Sequence, residues 1–266
     1  MDARRITGKT KVMLLMADPV SHVVGTEALT AFMRGCGHDL VCVPLHVGAE
    51  DLPDAIGALR KFRNCVGSAI TIPHKIPVLP LLDDVTARAR TIGSVNCVRR
   101  DADGKLTGDN VDGSGFVRGA AAAGIEIKGL RVLLSGAGGA GRSLAFALAG
   151  AGVAELVVCN RDMARATALV DAVSAAHPDV AVRPGGSYAG GFDLVVNATS
   201  LGMAGNDGDD PVDLKTLSTE TIVADIIMTP ERTRLLQAAE ARGCRLLFGR
   251  QMMDGQLALA REFLRL

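Results

Sequence analysis

Two segments in the first half of the chain carry side chains that could transfer a proton. The run Ile70–Lys75 places Lys75 just beyond an apolar strand, and the run Gly108–Gly113 places Asp112 at the start of a predicted helix. An aspartate can orient a lysine ammonium, and partial desolvation lets the lysine exchange a proton with a substrate oxygen. Local sequence alone favours simpler roles, a surface charge for Lys75 and a helix N-cap for Asp112.

A glycine-rich turn follows an apolar strand in the middle of the chain. Gly136, Gly138 and Gly141 stand between Leu133-Leu134-Ser135 and an alanine-rich run that predicts a helix; Gly139 and Ala140 complete the turn. Glycines at this spacing permit a tight turn and let the backbone approach a pyrophosphate, which the first N–H groups of the helix then face. The spacing alone could be a plain turn, but the strand–turn–helix context predicts a dinucleotide site.

The end of the next predicted strand bears on the choice of cofactor. There Asn160-Arg161-Asp162 follows Val157-Val158-Cys159, and Arg165 lies one helical turn further on. An acidic residue at this tip bonds the ribose 2′-hydroxyl of NAD, whereas an arginine accommodates the 2′-phosphate of NADP. Arg161 and Arg165 favour NADP and Asp162 favours NAD, so NADP is predicted with NAD as the alternative. Either arginine could also be a solvated residue at a helix start.

A further strand ends in small polar residues. Asn197, Thr199 and Ser200 follow Val195-Val196, and the carboxyl ends of strands in an open parallel sheet face the ligand crevice. These side chains could therefore touch the cofactor, or they could form an ordinary strand-to-loop turn.

The elements that must position these residues alternate between strand and helix. In the first part, strands are predicted at 11–16, 39–44 and 66–72, helices at 26–33 and 52–62, and a hairpin around Asp103-Gly104. A helix from Asp112 to about Gly124 precedes strands at 131–135, 156–159, 193–197, 221–225 and 245–248. We expect an α/β protein: a mostly parallel N-terminal sheet with one antiparallel ribbon, and a C-terminal Rossmann-type, doubly wound NAD(P) domain. The first domain would comprise residues 1–111, with helix 250–266 packing back on it, and residues 112–249 would form the dinucleotide-binding domain.

Composition excludes several classes of partner. The formal net charge is zero and no block of Lys or Arg occurs, so neither nucleic acid nor an anionic membrane is expected to bind. No apolar run is long enough to span a bilayer, and the N-terminus does not resemble a signal peptide. Six scattered cysteines without a Cys-x-x-Cys pair indicate buried thiols in a reducing cytoplasm, and no metal site is predicted.

Taken together and in this order, the motifs resemble those of the shikimate dehydrogenase family over essentially the whole chain. The matching segments are Thr71–Lys75, Gly93–Asn96, Gly108–Gly113, Gly136–Gly141, Asn160-Arg161, Asn197–Thr199 and Gly255-Gln256. The resemblance implies an NAD(P)-dependent alcohol dehydrogenase that interconverts a ring secondary alcohol and its ketone, as in aromatic amino acid biosynthesis or quinate metabolism.

The resemblance also implies that residues 1–111 form the substrate-binding and catalytic domain, and it implies roles for individual residues. Lys75 and Asp112 would be the catalytic pair. The residues that would bond substrate hydroxyls are Thr71, Asn96 and Gln256. Those at the cofactor would be Asn160 and Arg161 at the adenosine end and Met203 and Gly249 near the nicotinamide.

The chain departs from the family where the substrate carboxylate is held. The family usually has His-Ser-x-Ser-Pro, but this chain has His22-Val23-Val24-Gly25-Thr26, so both serines are absent. A usual tyrosine is replaced by Met228 and a usual asparagine by Ala69. Each lost contact weakens binding by about 1–3 kcal/mol if its partner stays unmatched.

We therefore expect a shikimate- or quinate-like polyol or ring acid whose acid group is altered, relocated or held differently. Shikimate itself stays an alternative if His22, Thr26 or Thr229 replaces the missing hydroxyls. The alternative is a catalytically silent, nucleotide-binding sensor on the same fold. The sequence leaves monomer and homodimer equally open.

Overall fold

The chain forms two compact units. The structure, a computed structural model, describes residues 5–21, 23–206 and 208–266. The first unit comprises Met1–Val111 and Leu257–Leu266, and the second Asp112–Gln256. The units divide after Val111, as predicted, and again after Gln256. The second division was predicted after residue 249, before the last helix, so residues 250–256 belong to the second unit instead of the first. The roles assigned to the two domains remain predictions.

The first unit is built on a six-stranded sheet with the order β2-β1-β3-β5-β6-β4. Its strands are β1 (Lys11–Ala17), β2 (Leu40–His46), β3 (Cys65–Ile70), β4 (Asp84–Val85), β5 (Cys97–Arg100) and β6 (Leu106–Asp109). Its helices are α1 (Gly25–Gly35), α2 (Leu52–Leu59) and α3 (Ala87–Ile92), with a 3₁₀ turn at Leu79–Leu81. β1 runs parallel to β2 and β3, whereas β5 is antiparallel to β3 and β6. The predicted parallel sheet with one antiparallel ribbon is confirmed.

The second unit contains six parallel strands in the order β12-β11-β10-β7-β8-β9. The strands are β7 (Arg131–Ser135), β8 (Glu155–Cys159), β9 (Ala181–Gly185), β10 (Leu194–Asn197), β11 (Ile222–Asp225) and β12 (Arg245–Leu247). The helices are α4 (Asp112–Ala122), α5 (Gly139–Gly150), α6 (Met163–Ala176) and α7 (Arg234–Glu240), with a 3₁₀ turn at Leu214–Thr216. The last helix, α8 (Gly249–Leu264), begins in this unit, and its residues from Leu257 onward belong to the first unit. This order is that of a doubly wound dinucleotide fold, and the predicted fold class is confirmed.

Burial explains which strands the sequence revealed. β7 and β10 are buried along almost their whole length and read as continuous apolar runs, as central parallel strands do. β9 was not predicted, because it is an edge strand whose residues are exposed or half-buried and include Pro184. Proline is tolerated at an edge because one side of the strand needs no partner.

The cysteines contribute to the apolar cores. Cys42, Cys65, Cys97 and Cys244 are buried, whereas Cys36 lies exposed at the end of α1. Burial raises the pKa of the Cys42 thiol to about 12, so this group stays protonated and behaves as a small apolar side chain. Among the described residues, no helix has both the length and the apolar character needed to cross a membrane.

Candidate functional site

In the first unit, the predicted catalytic lysine follows β3 at a topological switch point. The order β2-β1-β3 reverses direction between β1 and β3, and ligands of open α/β sheets bind beyond the carboxyl ends of strands at such a point. The N–H of Thr71 donates to the carbonyl of Met16 over 3.1 Å, and the N–H of Asp18 donates to the carbonyl of Ile72 over 3.1 Å. These two bonds fix the Thr71–Lys75 turn at the edge where a ligand is expected.

Asn96 lies beside this turn. Its carbonyl accepts the N–H of Ile70 over 2.9 Å, and the N–H of the preceding Val95 donates to the carbonyl of Lys75 over 2.8 Å. The side-chain oxygen of Asn96 accepts the N–H of Val111 over 2.9 Å. Thr71, Lys75 and Asn96 are thus brought together within one unit, and all three are half-buried.

The start of α1 differs in character from a polar binding loop. Val24 is 41% exposed at the N-cap position and provides no side-chain cap. Thr26 is half-buried in the first turn of the helix, where its carbonyl accepts the Thr30 hydroxyl over 2.8 Å. His22, the other candidate contact in this segment, lies outside the described residues.

In the second unit, Asp112 is the first residue of α4 and only 3% exposed. The amide nitrogen of Gln256 in α8 donates to Asp112 Oδ1 over 2.8 Å. At this bond α4 and α8 cross closely: a Cβ at Gly255 would collide with the carbonyl oxygen of Gly115, so the close crossing depends on glycine at 255. Gln256, predicted as a substrate contact, therefore also orients the predicted catalytic carboxylate.

The glycine turn has the geometry of a phosphate cradle. Gly136 has a φ of +114°, and a Cβ there would lie 2.9 Å from the Ala198 carbonyl, while a Cβ at Gly141 would collide with the Gly136 carbonyl oxygen. A Cβ at Gly138, by contrast, would meet no described atom within 4 Å. Gly138 is also the N-cap of α5 and offers no side-chain cap to the first N–H groups of that helix. A dinucleotide pyrophosphate fits such a terminus.

The tip of β8 separates the two opposing cofactor signals. Asn160 Oδ1 accepts the N–H of Ala137 over 3.1 Å, which ties this tip to the glycine turn. Asp162 is the N-cap of α6: its Oδ1 accepts the N–H groups of Ala164 and Arg165 over 3.0 and 3.3 Å. Its Oδ2 lies 3.3 Å from Arg165 Nε. The Asp162 carboxylate is thus occupied by its own helix.

Arg161, by contrast, is exposed and makes no hydrogen bond or ion pair with any of the described residues. Its guanidinium is available to an anionic ligand at this tip.

Asn197 is fully buried and holds other residues. Its Nδ2 donates to both carboxylate oxygens of Asp225, over 3.2 and 3.1 Å, and its Oδ1 accepts the Thr199 hydroxyl over 2.7 Å. Asp225 Oδ2 also accepts the hydroxyl of Thr233, the N-cap of α7, over 2.7 Å. Burial raises the pKa of Asp225, although bonds from Ile227 N–H, Thr233 and Asn197 act in the opposite direction. This network shapes the loop after β10.

The remaining predicted cofactor contacts lie in loops of the same unit. Ser200 is exposed, and its hydroxyl accepts from the Asn206 amide over 3.0 Å. Met203 is half-buried and donates its N–H to the Ser200 carbonyl over 3.1 Å. Gly249 begins α8, where a Cβ would lie 2.6 Å from the carbonyl oxygen of Ile227. A side chain at 249 is therefore excluded by the backbone of the loop after β11.

Two residues in the second unit escaped the sequence analysis. Ser143 Oγ accepts the N–H of Gly113 over 2.8 Å and so fixes the start of α4 next to Asp112. Asp225 anchors the Asn197 network. Ser143 stands in a plain alanine-rich helix and carries no local signal, whereas an aspartate closing an apolar strand could have been singled out at Asp225.

The comparisons with family models and with curated relatives both identify shikimate dehydrogenases. The family described as shikimate dehydrogenase substrate binding domain matches residues 15–98, and that described as shikimate / quinate 5-dehydrogenase matches residues 120–203. A shikimate dehydrogenase (NADP(+)) of Lysinibacillus sphaericus is 36% identical over 95% of this chain and 91% of its own length.

The similar solved structures include two that match nearly the whole chain. The shikimate 5-dehydrogenase of Listeria monocytogenes, solved with shikimate and NAD, has a TM-score of 0.87 at 31% identity, covering 98% of this chain and 94% of that one. The 5-ketofructose reductase of a Gluconobacter species has a TM-score of 0.85 at 32% identity, covering 97% and 93%.

Proposed function

Because this chain belongs to the shikimate dehydrogenase family of NAD(P)-dependent oxidoreductases, we propose that it interconverts a secondary alcohol and a ketone on a small polyhydroxylated substrate. Lys75 acts as the general acid and base. In the reductive direction its ammonium donates a proton to the carbonyl oxygen, and in the oxidative direction its amine takes the hydroxyl proton. The observation that carries this proposal is the Thr71–Lys75 turn, fixed by backbone bonds to β1 at the switch point of the first unit.

Asp112 is the residue proposed to orient the lysine. A buried carboxylate performs this task only if it is itself held, and the Gln256 bond together with the close crossing of α4 and α8 supplies that constraint. Thr71, Asn96 and Gln256 are the proposed contacts to substrate hydroxyls.

The proposed cofactor is NADP(H), which would supply a hydride as NADPH in the reductive direction and accept one as NADP+ in the oxidative direction. The Gly136–Gly141 turn and the uncapped start of α5 fit its pyrophosphate. Asp162 does not oppose this choice, since its carboxylate caps α6. Arg161 is the proposed contact to the 2′-phosphate, with Arg165 contributing less because it already faces Asp162. Asn197 and Thr199 shape the loop beside the cofactor.

We propose that the site lacks the hydroxyl contacts that hold the carboxylate of shikimate. Val23 and Gly25 stand where the family usually has serines, and Val24 between them is exposed. The first candidate substrate is a shikimate- or quinate-like ring compound. This apolar start of α1 favours a second candidate, a ketone of a neutral polyol. The likeness to a 5-ketofructose reductase shows that such chemistry occurs on this fold. To bind shikimate itself, the chain would have to use His22, Thr26 or Thr229 in place of the two serine hydroxyls.

The deciding experiment measures NADPH formation or consumption with shikimate, quinate, cyclitols and 5-ketofructose, each also with NAD(H). We expect kcat/KM for a neutral polyol or its ketone to exceed that for shikimate. The double variant Val23→Ser/Gly25→Ser should raise kcat/KM for shikimate about tenfold to a hundredfold, and Val24→Ser, which adds a hydroxyl between the two sites, should not. Efficient turnover of shikimate by the unaltered chain would contradict the substrate proposal.

The catalytic proposal is tested separately. Lys75→Ala should lower kcat by at least about a hundredfold while NADP affinity stays unchanged. Turnover that survives this change would remove Lys75 from its proposed role. Tight cofactor binding without turnover of any compound would favour the silent nucleotide sensor. We propose action in the cytoplasm, consistent with the buried, unpaired thiols, as a monomer or homodimer.

A further inference from the structure

The residue next to the proposed catalytic lysine is a fully buried histidine. His74 has 0% exposure, and its Nε2 lies 2.7 Å from the carbonyl oxygen of Val47, just beyond β2. A carbonyl only accepts, so Nε2 carries the proton and Nδ1 is a bare acceptor. Nδ1 is buried and has no donor among the described residues.

This arrangement is expensive if His74 serves only to fill the core. A buried acceptor without a donor destabilises the folded state, a penalty that an apolar side chain of similar size avoids. The Nε2–H bond therefore has to provide something that leucine or phenylalanine could not. What it provides is a side-chain tie between the turn after β3 and the end of β2.

The backbone hydrogen bonds of the turn fasten it to β1 and to Val95, and the His74 side chain adds a bond on the β2 side. Thr71 and Ile72 are bonded to the β1 edge, and the carbonyl of Lys75 is bonded to Val95. None of these bonds reaches the β2 side of the sheet. The His74 imidazole spans that side, one residue before Lys75, where a small rotation of the turn would carry the lysine stem with it.

We propose that His74 is a positioning residue that fixes the orientation of Lys75 through its Nε2–H bond to Val47. The inference rests on the proposed role of Lys75, but the hold on the turn is measurable without any substrate. His74→Gln is the matched rescue variant, because its amide nitrogen has the same reach from Cβ as Nε2. His74→Leu keeps the volume and removes the donor.

The test combines labelling and turnover. Lysine modification by trinitrobenzenesulfonate, read by peptide mass spectrometry, gives the rate at Lys75 relative to the exposed Lys105 in the same protein sample. In His74→Leu this ratio should rise several-fold, because the lysine leaves its fixed, half-buried position. kcat with the best compound of the panel should fall at least about tenfold with little change in KM for NADP, and His74→Gln should restore most of both.

The outcomes separate the two proposals. An unchanged labelling ratio in His74→Leu overturns the positioning role, even if the melting temperature falls, since that would be a purely structural effect. Equal behaviour of the Gln and Leu variants also overturns it. Should the leucine variant not fold, His74→Asn carries the comparison, because its amide stops short of Val47. If Lys75→Ala retains turnover, the catalytic proposal fails while the labelling ratio still decides the hold on the turn.

Discussion

Replacing Arg161 by alanine should weaken NADP binding and leave NAD binding nearly unchanged. The reason lies at the tip of β8. Both Asp162 oxygens are engaged, one by the N–H groups of Ala164 and Arg165 and the other by the Arg165 side chain. The neighbouring Arg161 is exposed and has no hydrogen bond or ion pair with the described residues. Its guanidinium would be the principal partner of a 2′-phosphate, a group that NAD does not carry.

The magnitude follows from the exposure of the site. A hydrogen bond to a charged partner contributes about 1.5–3 kcal/mol, and screening at an exposed position reduces this to about 1–2 kcal/mol. At 1.4 kcal/mol per factor of ten, Arg161→Ala should weaken NADP binding about 5- to 30-fold. Arg165→Ala should have a smaller effect, because its guanidinium is already shared with Asp162.

The assay is a titration with adenine nucleotides that needs no substrate. Binding of 2′,5′-ADP should weaken in Arg161→Ala, and binding of 5′-AMP should not. Asp162→Asn keeps a good N-cap and should change neither, whereas Asp162→Ala should cost about 1 kcal/mol of stability through α6 without altering the ratio of the two affinities. Equal weakening of both nucleotides by Arg161→Ala would refute this reasoning. So would a selective loss of NAD binding in Asp162→Ala.

Three further predictions concern the second unit. Gln256→Leu removes the donor 2.8 Å from Asp112 Oδ1, so kcat/KM should fall about tenfold to a hundredfold in steady-state assays, and an unchanged value would show that Asp112 is held without it. Gly255→Val should cost at least about 2 kcal/mol in urea unfolding, because its side chain collides with the Gly115 carbonyl; full stability would mean that the helices can separate freely. Burial raises the pKa of Asp225, so the folded state holds this proton to a higher pH than the unfolded chain does, and this carboxyl contributes a downward slope to the free energy of unfolding as pH rises above about 4, the ordinary pKa of an aspartate. Asp225→Asn should flatten that slope, and an identical slope in both proteins would assign it to other groups.

The sequence predicted the elements whose signals are local. The apolar runs of β1 and β7, the Asp103-Gly104 hairpin and the glycine turn all depend on neighbouring residues. The edge strand β9 was missed because exposed strands need no apolar pattern. Helix ends shifted by a few residues for a similar reason: α8 begins at Gly249, ahead of the first apolar residue of the predicted helix.

Roles that depend on distant contacts could not be predicted. Gln256 and Asp112 are 144 positions apart, and their bond exists because glycines let α4 and α8 cross. Asn197 was predicted to contact the cofactor, and in the structure its side-chain amide is hydrogen-bonded to Asp225 and Thr199. Residue type and strand position indicate that a polar group will be used, but the partner is decided by how the chain returns on itself.

The same distinction is consistent with the proposal that the substrate has changed while the reaction has not. Lys75 sits on a turn bonded to β1 and to Val95, so its position is set by the sheet. The residues that replace the family's serines, Val23 and Gly25, precede or begin α1, where neighbouring Val24 is exposed and caps nothing. Substitutions there cost the sheet no hydrogen bond and leave the turn after β3 in place. Specificity for the acid group can therefore be lost or regained by changes in a segment on which neither proton transfer nor the β1–β3 pairing depends.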